Sequence, residues 1–311
     1  MNPSSEGFSF IMKSLLVIGG PTAAGKTALA IQIARILGTS IISADSRQFY
    51  KEMNIGTAKP DQHELAAVTH HFIDTLSVTD DYDIARFETE TLKLLERLFK
   101  SNDTVIMVGG SGLYLEAVTK GLDKLPGRDE AIRNNLEQIL KTKGLIALQD
   151  ELIKKDPAGA SKIDLNNPRR VIRALEICLA TGIPYSTLQQ SAAPKRTFNS
   201  LLIAITPDRD VLYERINQRV DNMMKNGLLE EVRMLLPYSH YNALRTVGYT
   251  ELFDYLSGKH SLEEAVSLIK QHTRNYAKRQ LTWFRNRSDY TWFKPEDFPN
   301  IIDFIERNLA N

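Results

Sequence analysis

Gly20-Pro21-Thr22-Ala23-Ala24-Gly25-Lys26-Thr27 is the stretch of sequence that decides the fold. It matches the pattern G-x-x-x-x-G-K-[ST], in which backbone N–H groups and the positive end of the following helix converge on a phosphate. Lys26 adds a positive charge, and the Thr27 hydroxyl is suited to bind Mg²⁺. A plain glycine turn is the alternative, but an apolar run precedes the motif and a helical pattern, closed by Gly38, follows it. The sequence therefore predicts a phosphate-binding P-loop.

The regions on either side of the loop alternate between strand and helix patterns. Short apolar runs predict four strands, at residues 14–18, 40–43, 104–108 and 201–205. Amphipathic patterns predict helices at residues 26–37 and 87–100. This alternation predicts an α/β fold, with a P-loop NTPase-like core in which helices flank a parallel sheet.

A long segment between the third and fourth predicted strands carries helical periodicity and no convincing strand. Its three helical patterns cover residues 130–142, 145–156 and 168–181. We therefore predict an inserted all-helical domain at residues 125–197, within an α/β core formed by residues 12–124 and 198–311. After Pro207 the core is predicted to be largely helical, through Arg285.

Composition limits the possible partners and compartments. The 311 residues carry a formal net charge of +1, so a nucleic-acid site would require local clusters of Lys and Arg. The single cysteine, Cys178, lies in an apolar helical run and is typical of a small buried residue. Residues 1–10 are polar and no long apolar run occurs, so we expect no signal peptide, no membrane helix and a cytoplasmic monomer.

A P-loop, although typical of ATP-binding proteins, does not establish the reaction. NTP hydrolases usually add a strand that ends in Asp, whereas the run at residues 104–108 ends in Gly109-Gly110. This favours a transferase that binds another phosphate ester. Asp45 follows the second predicted strand, where it could be a catalytic base or could cap the next turn. His70-His71 lacks further metal ligands at useful spacing, and we assign it to structure.

Seven further motifs follow the loop along the chain. They are Ser43-Ala44-Asp45-Ser46-Arg47-Gln48, Ile55-Gly56-Thr57-Ala58-Lys59-Pro60, Val108-Gly109-Gly110-Ser111-Gly112-Leu113-Tyr114, Asn167-Pro168-Arg169-Arg170-Val171-Ile172-Arg173-Ala174-Leu175-Glu176, Arg215-Ile216-Asn217-Gln218-Arg219-Val220, Val247-Gly248-Tyr249 and Lys278-Arg279-Gln280-Leu281-Thr282-Trp283. With the loop, they resemble the tRNA dimethylallyltransferase family over residues 15–287. Ala24 and Ser111 depart from the Ser and Thr that are common there, and neither change removes a charge.

The resemblance implies transfer of a dimethylallyl group from dimethylallyl diphosphate to N6 of adenosine 37, in tRNAs that read codons beginning with U. Residues 20–27 would bind the diphosphate, with Mg²⁺ on Thr27. Asp45 would act as the base at N6, and the catalytic set would also contain Lys26, Thr22 and Arg219. From the residues alone, a solvated helix face is the commoner position for an arginine such as Arg219.

The resemblance also implies tRNA contacts, and the target base must leave its stack to react. The expected contact residues are Asp45, Ser46, Arg47, Gln48, Ser111, Arg133, Arg169, Arg170, Val171, Ile172, Arg173, Arg245, Thr246, Val247, Gly248, Tyr249 and Thr250. Residues 270–287 form a second basic stretch without Asp or Glu, in which Trp283 and Phe284 are expected to pack rather than stack on bases.

Three other functions compete with this interpretation. A P-loop kinase of small metabolites would share the loop and Asp45 but would not need the basic helices. A prenyltransferase acting on free adenine nucleotides would not need them either. A non-enzymatic RNA-binding module would have no use for the P-loop and Asp45.

Overall fold

The computed structural model describes residues 13–123, 125–189 and 195–309. Residues 1–10, on which the signal-peptide prediction rests, lie outside the described residues. The chain divides into two compact units, of which Lys120–Lys195 forms one and the residues before and after it form the other.

A six-stranded sheet forms the centre of the first unit. Its strands are β1 (Ser14–Gly19), β2 (Ile41–Ser43), β3 (His70–His71), β4 (Thr104–Val108), β5 (Asn199–Ile205) and β6 (Thr291–Phe293). The strand order is β3-β2-β4-β1-β5-β6, and every neighbouring pair is parallel. The predicted class, a parallel α/β sheet flanked by helices, is therefore confirmed.

Helices occupy much of the remaining described chain. They are α1 (Lys26–Leu37), α2 (Gln62–Ala67), α3 (Ile84–Leu98), α4 (Gly112–Lys120), α5 (Glu130–Lys155), α6 (Pro157–Ala160), α7 (Pro168–Thr181), α8 (Tyr185–Leu188), α9 (Arg209–Lys225), α10 (Leu228–Met234), α11 (Tyr249–Leu256), α12 (Leu262–Arg285) and α13 (Phe298–Leu309). In the described part of the chain, no helix combines the length and apolar composition needed to cross a bilayer.

The sheet separates two apolar cores, which explains why its central strands contain unbroken apolar runs, such as residues 15–18 in β1 and 105–108 in β4. Leu15 and Val17 of β1 pack into one core, while Leu16 and Ile18 pack into the other. The second core also contains residues of α1 and α13, including Ile33. The sheet is thus buried on both faces.

The carboxyl ends of β1, β2 and β4 lie at the same edge of the sheet. Ser43 pairs with Val108, and Val108 pairs with Ile18, so the three strands end side by side. The loops that follow them therefore start together, at the position where open α/β sheets form their sites.

The inserted unit is a small helical bundle around its own core. Leu136, Leu152 and Leu175 are buried there, and burial raises the pKa of the Cys178 thiol in the same cluster. Gly144 interrupts α5 with a φ of 79°, which accounts for the two separate helical patterns seen in the sequence. Cys178 is a buried packing residue, as predicted.

Candidate active site

The loop after β1 forms the phosphate cradle that the sequence predicts. Gly20 has a φ of 137°, and a Cβ there would lie 2.3 Å from the Ile205 carbonyl oxygen, so no other residue fits without a shift. Gly25 has a φ of 93° and begins α1, whose amino-terminal end faces the loop. Residues 22–28 line a cavity of about 250 Å³. The positive end of the helix dipole is therefore directed at this cavity.

Lys26 lies in the wall of this cavity. Its Nζ donates a hydrogen bond to the Pro21 carbonyl oxygen at 2.7 Å. Burial lowers the pKa of Lys26 to about 8, with Asp45 opposing this shift and Arg219 adding to it. A bound diphosphate would supply the negative charge that this desolvated ammonium lacks.

Arg219 reaches the loop from α9. Its Nη1 donates to Thr22 Oγ1 at 3.0 Å, and its side chain lines the loop cavity. Burial lowers the pKa of Arg219, and the Asp45 charge opposes this. Arg219 thus lies in the cavity and not on a solvated helix face, whereas Arg215 is exposed at the edge of the loop, near Gly25.

Gln280 lies in the last of the seven motifs, at residues 278–283, and is not among the predicted site residues. Its Oε1 accepts the Thr22 N–H at 2.8 Å, and its Nε2 donates to the Gly110 carbonyl oxygen at 2.9 Å. The residue is only 7% exposed. Gln280 of α12 therefore ties the phosphate loop after β1 to the turn after β4.

Asp45 closes the turn after β2 and also faces two cavities. Its Oδ1 accepts the Arg47 N–H at 3.0 Å, which closes the turn after β2. The same side chain lines the loop cavity and also a second, neighbouring cavity. Asp45 is therefore held by the turn and available to a ligand between the two cavities.

The second cavity has a volume of about 300 Å³. It shares Thr22, Asp45 and Arg219 with the loop cavity. The residues that line only the second cavity include four apolar side chains, Val220, Met223, Val247 and Ile269, beside polar ones such as Arg47 and Thr273. A molecule with a diphosphate at one end and a small apolar group at the other fits this pair of cavities.

Several predicted RNA contacts lie around the second cavity. Ser46, Arg47, Thr246, Val247 and Gly248 line it. Arg245 and Thr250 are exposed next to this segment. Ser111 lies behind Ser46, with its Oγ 3.5 Å from Ser46 Oγ.

Two predicted contacts near this cavity have other roles in the structure. Tyr249 is fully buried, and its hydroxyl donates to Glu231 Oε1 at 2.6 Å, so we reassign its side chain from RNA contact to packing. Gln48 lines the loop cavity, but its amide is bonded to Ser43, Thr57 and Ala58. Its side chain shapes the site from within the protein.

The basic cluster of the inserted unit divides into two pairs. Arg169 and Arg170 are exposed on the first turn of α7. Arg133 and Arg173 each approach within 3.2 Å of Glu176, whose carboxylate is fully buried. A buried carboxylate needs positively charged partners, so the main role of these two arginines is to stabilise the fold of the inserted unit.

Val171 and Ile172 were also among the predicted RNA contacts. Both side chains are buried in the core of the inserted unit. Their position on the inner face of α7 leaves no side-chain surface for RNA, and we reassign them to packing.

The basic stretch at residues 270–287 lies mostly on α12. Trp283 packs against Gly112, where a Cβ would lie 2.2 Å from its ring, and Phe284 is fully buried. Both aromatics therefore pack within the protein, as predicted. Lys278, Arg279 and Arg285 remain exposed on the same helix.

Comparison with known proteins decides the family. The family model described as IPP transferase matches residues 48–287, which is more than half of the chain. The chain belongs to the IPP transferase family. The predicted family is thereby confirmed.

Similar curated proteins cover nearly the whole length of this family member. A tRNA dimethylallyltransferase of Christiangramia forsetii is 51% identical, with 95% of this chain and 98% of that protein aligned. A tRNA dimethylallyltransferase 2 of Parabacteroides distasonis is 44% identical over 96% of this chain and 100% of its own length.

Solved structures of the IPP transferase family share the fold. The full-length tRNA isopentenylpyrophosphate transferase of Bacillus halodurans is 39% identical, with a TM-score of 0.72 over 96% of this chain and 97% of its own. A eukaryotic dimethylallyltransferase, whose crystal structures capture it acting on tRNA, is 29% identical, with a TM-score of 0.73 over 91% of this chain and 74% of its own.

Proposed function

We propose that this chain is a tRNA dimethylallyltransferase. It transfers the dimethylallyl group of dimethylallyl diphosphate to N6 of adenosine 37, in tRNAs that read codons beginning with U, and releases diphosphate. The curated relatives and the solved neighbours carry names of this activity. The acceptor position, the donor and the roles of individual residues are our inference from the site.

One observation supports the proposal above the others, namely that the phosphate cavity and the second cavity meet at Thr22, Asp45 and Arg219. A kinase site would place a nucleotide base and ribose beyond the phosphates. Here the space beyond the loop has apolar walls from Val220 and Met223, which suit a five-carbon allyl group. The only carboxylate that both cavities share is Asp45.

The reaction forms one C–N bond and breaks one C–O bond. The adenine N6 lone pair attacks the allylic carbon, and the electrons of the breaking C–O bond move onto the diphosphate. The N6 amine is a weak nucleophile because its lone pair is delocalised into the ring, so removal of its proton assists the attack. Asp45 accepts that proton in our mechanism.

The leaving group gains negative charge as the C–O bond breaks. Lys26, Arg219 and the loop N–H groups surround the position where this charge develops. Because these donors are already in place and partly desolvated, they stabilise the departing diphosphate without reorganising. Thr22, whose hydroxyl accepts a hydrogen bond from Arg219, helps to hold that guanidinium in the loop cavity.

Mg²⁺ fits the chemistry of this cavity. The oxygen atoms that line the loop cavity include the Thr27 hydroxyl and the Asp45 carboxylate, which are hard ligands of the kind that Mg²⁺ prefers. Within the described ranges no three His, Cys, Asp or Glu side chains gather into a metal site, so the ion would be held mainly through the diphosphate and Thr27. When bound, it would neutralise leaving-group charge.

The test measures transfer of radiolabelled dimethylallyl diphosphate to an unmodified anticodon stem-loop. A stem-loop with guanosine at position 37 and free AMP serve as rival acceptors. Label on the adenosine 37 stem-loop alone is the expected result. Label on AMP would indicate a free-nucleotide prenyltransferase, and no label on any acceptor would refute the proposal and direct attention to an ATP-dependent kinase.

Two further inferences accompany the activity. We infer that the enzyme acts in the cytoplasm, where tRNA is modified, and that it acts as a monomer. Size-exclusion chromatography with light scattering tests the second inference, since a stable dimer would contradict it.

A further inference from the structure

Glu231 is a buried carboxylate that the mechanism does not use. It lies on α10 and is only 6% exposed. Its Oε2 accepts the N–H groups of Asn54 and Ile55 at 3.0 and 2.8 Å. Its Oε1 accepts the N–H of Gly56 at 3.0 Å and the hydroxyl of Tyr249 at 2.6 Å. Both carboxylate oxygens are therefore occupied by four donors.

These donors belong to two segments that each contribute residues to the wall of the second cavity. The first segment continues from Gly56 into Thr57 and Ala58, and these three residues line the cavity. The second segment, residues 246–248, lines the same cavity and leads directly into Tyr249. Glu231 joins the two segments from behind.

The two segments also touch each other. A Cβ on Gly56 would lie 2.5 Å from the Tyr249 ring, so the backbone approaches the aromatic face closely. A second buried carboxylate, Glu251, accepts the Gly248 N–H at 2.7 Å and shares a hydrogen bond with His272 Nδ1 at 2.6 Å. The cavity segments are thus held by carboxylates on their protein side.

Only a carboxylate satisfies the position of Glu231. Four donors converge on it, and an ionised carboxylate accepts through both oxygens and donates nothing. A glutamine in the same place would direct an NH₂ group at one pair of donors. The result would be unpaired buried groups and a displaced segment rather than a mere loss of charge.

We propose that Glu231 is a positioning residue that sets the separation of the two cavity segments, and thereby aligns the purine acceptor with the allylic carbon. The proposal rests on the function proposed above. It assigns Glu231 no contact with substrate. Its effect passes through Gly56 and Thr57 on one side, and through Tyr249 and the segment 246–248 on the other.

The experiment compares Glu231→Gln, Tyr249→Phe and the double variant with the wild-type enzyme. Glu231→Gln is expected to lower kcat/KM for the stem-loop by about ten- to a hundredfold, because small misplacements of reacting groups have effects of this size. Tyr249→Phe removes one of the four bonds and should cause a smaller loss. The double variant should be no slower than Glu231→Gln, since the Tyr249 bond already depends on Glu231.

Two readouts separate positioning from general damage to the fold. The inhibition constant of diphosphate, which reports the loop cavity and not the segments held by Glu231, should stay within about twofold of wild type while kcat/KM falls. Hydrogen exchange should accelerate in peptides covering residues 54–58 and 246–249. Glu230→Gln is the matched control, because Glu230 is exposed next to Glu231 and should leave both readouts unchanged.

Two results would overturn the proposal. The first is transfer at the wild-type rate by Glu231→Gln, and the second is a loss of diphosphate affinity in that variant as large as its loss of kcat/KM. Failure of the proposed function is a different outcome, in which the wild-type enzyme itself transfers no label. Hydrogen exchange still decides the role of Glu231 in that case, because unchanged exchange in residues 54–58 of Glu231→Gln would refute it.

Discussion

The charge of Lys26 should control the use of the prenyl donor as a function of pH. Burial lowers the pKa of Lys26 to about 8 in the free site, so its ammonium loses a proton at mildly alkaline pH. The protonated form predominates below this pKa and the neutral form above it. Because the neutral form cannot pair with the diphosphate, donor capture should decline as the pH rises.

The magnitude follows from this pKa. With a value of about 8, the protonated fraction falls from about 90% at pH 7 to about 10% at pH 9, so kcat/KM for the donor should fall about tenfold over that interval. Ionisation of the donor contributes little to this fall, since a phosphate ester has a second pKa of about 6 and is already largely ionised at pH 7.

The assay measures kcat/KM for dimethylallyl diphosphate at saturating stem-loop RNA and constant ionic strength, from about pH 6.5 to about pH 9.5. Lys26→Arg is the matched control, because a guanidinium stays protonated throughout this range. Its activity should be lower, but its profile should show no fall near pH 8. Lys26→Ala should abolish transfer. A flat wild-type profile, or the same fall in Lys26→Arg, would remove Lys26 ionisation from the explanation.

Substitutions at Asp45, at Gln280 and in the basic motif of α7 test the remaining parts of the site. Asp45→Asn should lower kcat at least a hundredfold while the inhibition constant of diphosphate stays unchanged. An equal loss of kcat and of diphosphate affinity would argue against a role of Asp45 as the base. Gln280→Leu should raise the KM for the donor about tenfold by releasing the Thr22 N–H, and an unchanged KM would contradict that link. Arg169→Ala with Arg170→Ala should raise the KM for RNA without loss of thermal stability, whereas Arg173→Ala should lower the melting temperature.

The sequence alone determined the parts of this protein that depend on neighbouring residues. The P-loop is a local structure, in which Gly20, Gly25 and the flanking strand and helix specify one backbone path. The position of Asp45 after β2 was also readable, since a strand buried on both faces leaves an apolar run whose end is visible. The gap between the helical patterns at residues 130–142 and 145–156 likewise matches the interruption of α5 at Gly144.

Two short strands were missed. His70-His71 forms β3 and residues 291–293 form β6, but two or three residues carry no periodicity. Both strands lie at the edges of the sheet, where pairing with β2 and β5 holds them in place. Their existence is a consequence of the sheet and not of their own sequence.

Tertiary structure decided which charged and polar side chains are available to ligands. Arg170 and Arg173 belong to the same basic motif, yet one is exposed and the other pairs with buried Glu176. Gln280 and Glu231 become part of the site only because α12 and α10 pack behind loops far away in the chain. The physical reason is that buried polar groups must find partners, and the identity of those partners depends on contacts that no local pattern encodes.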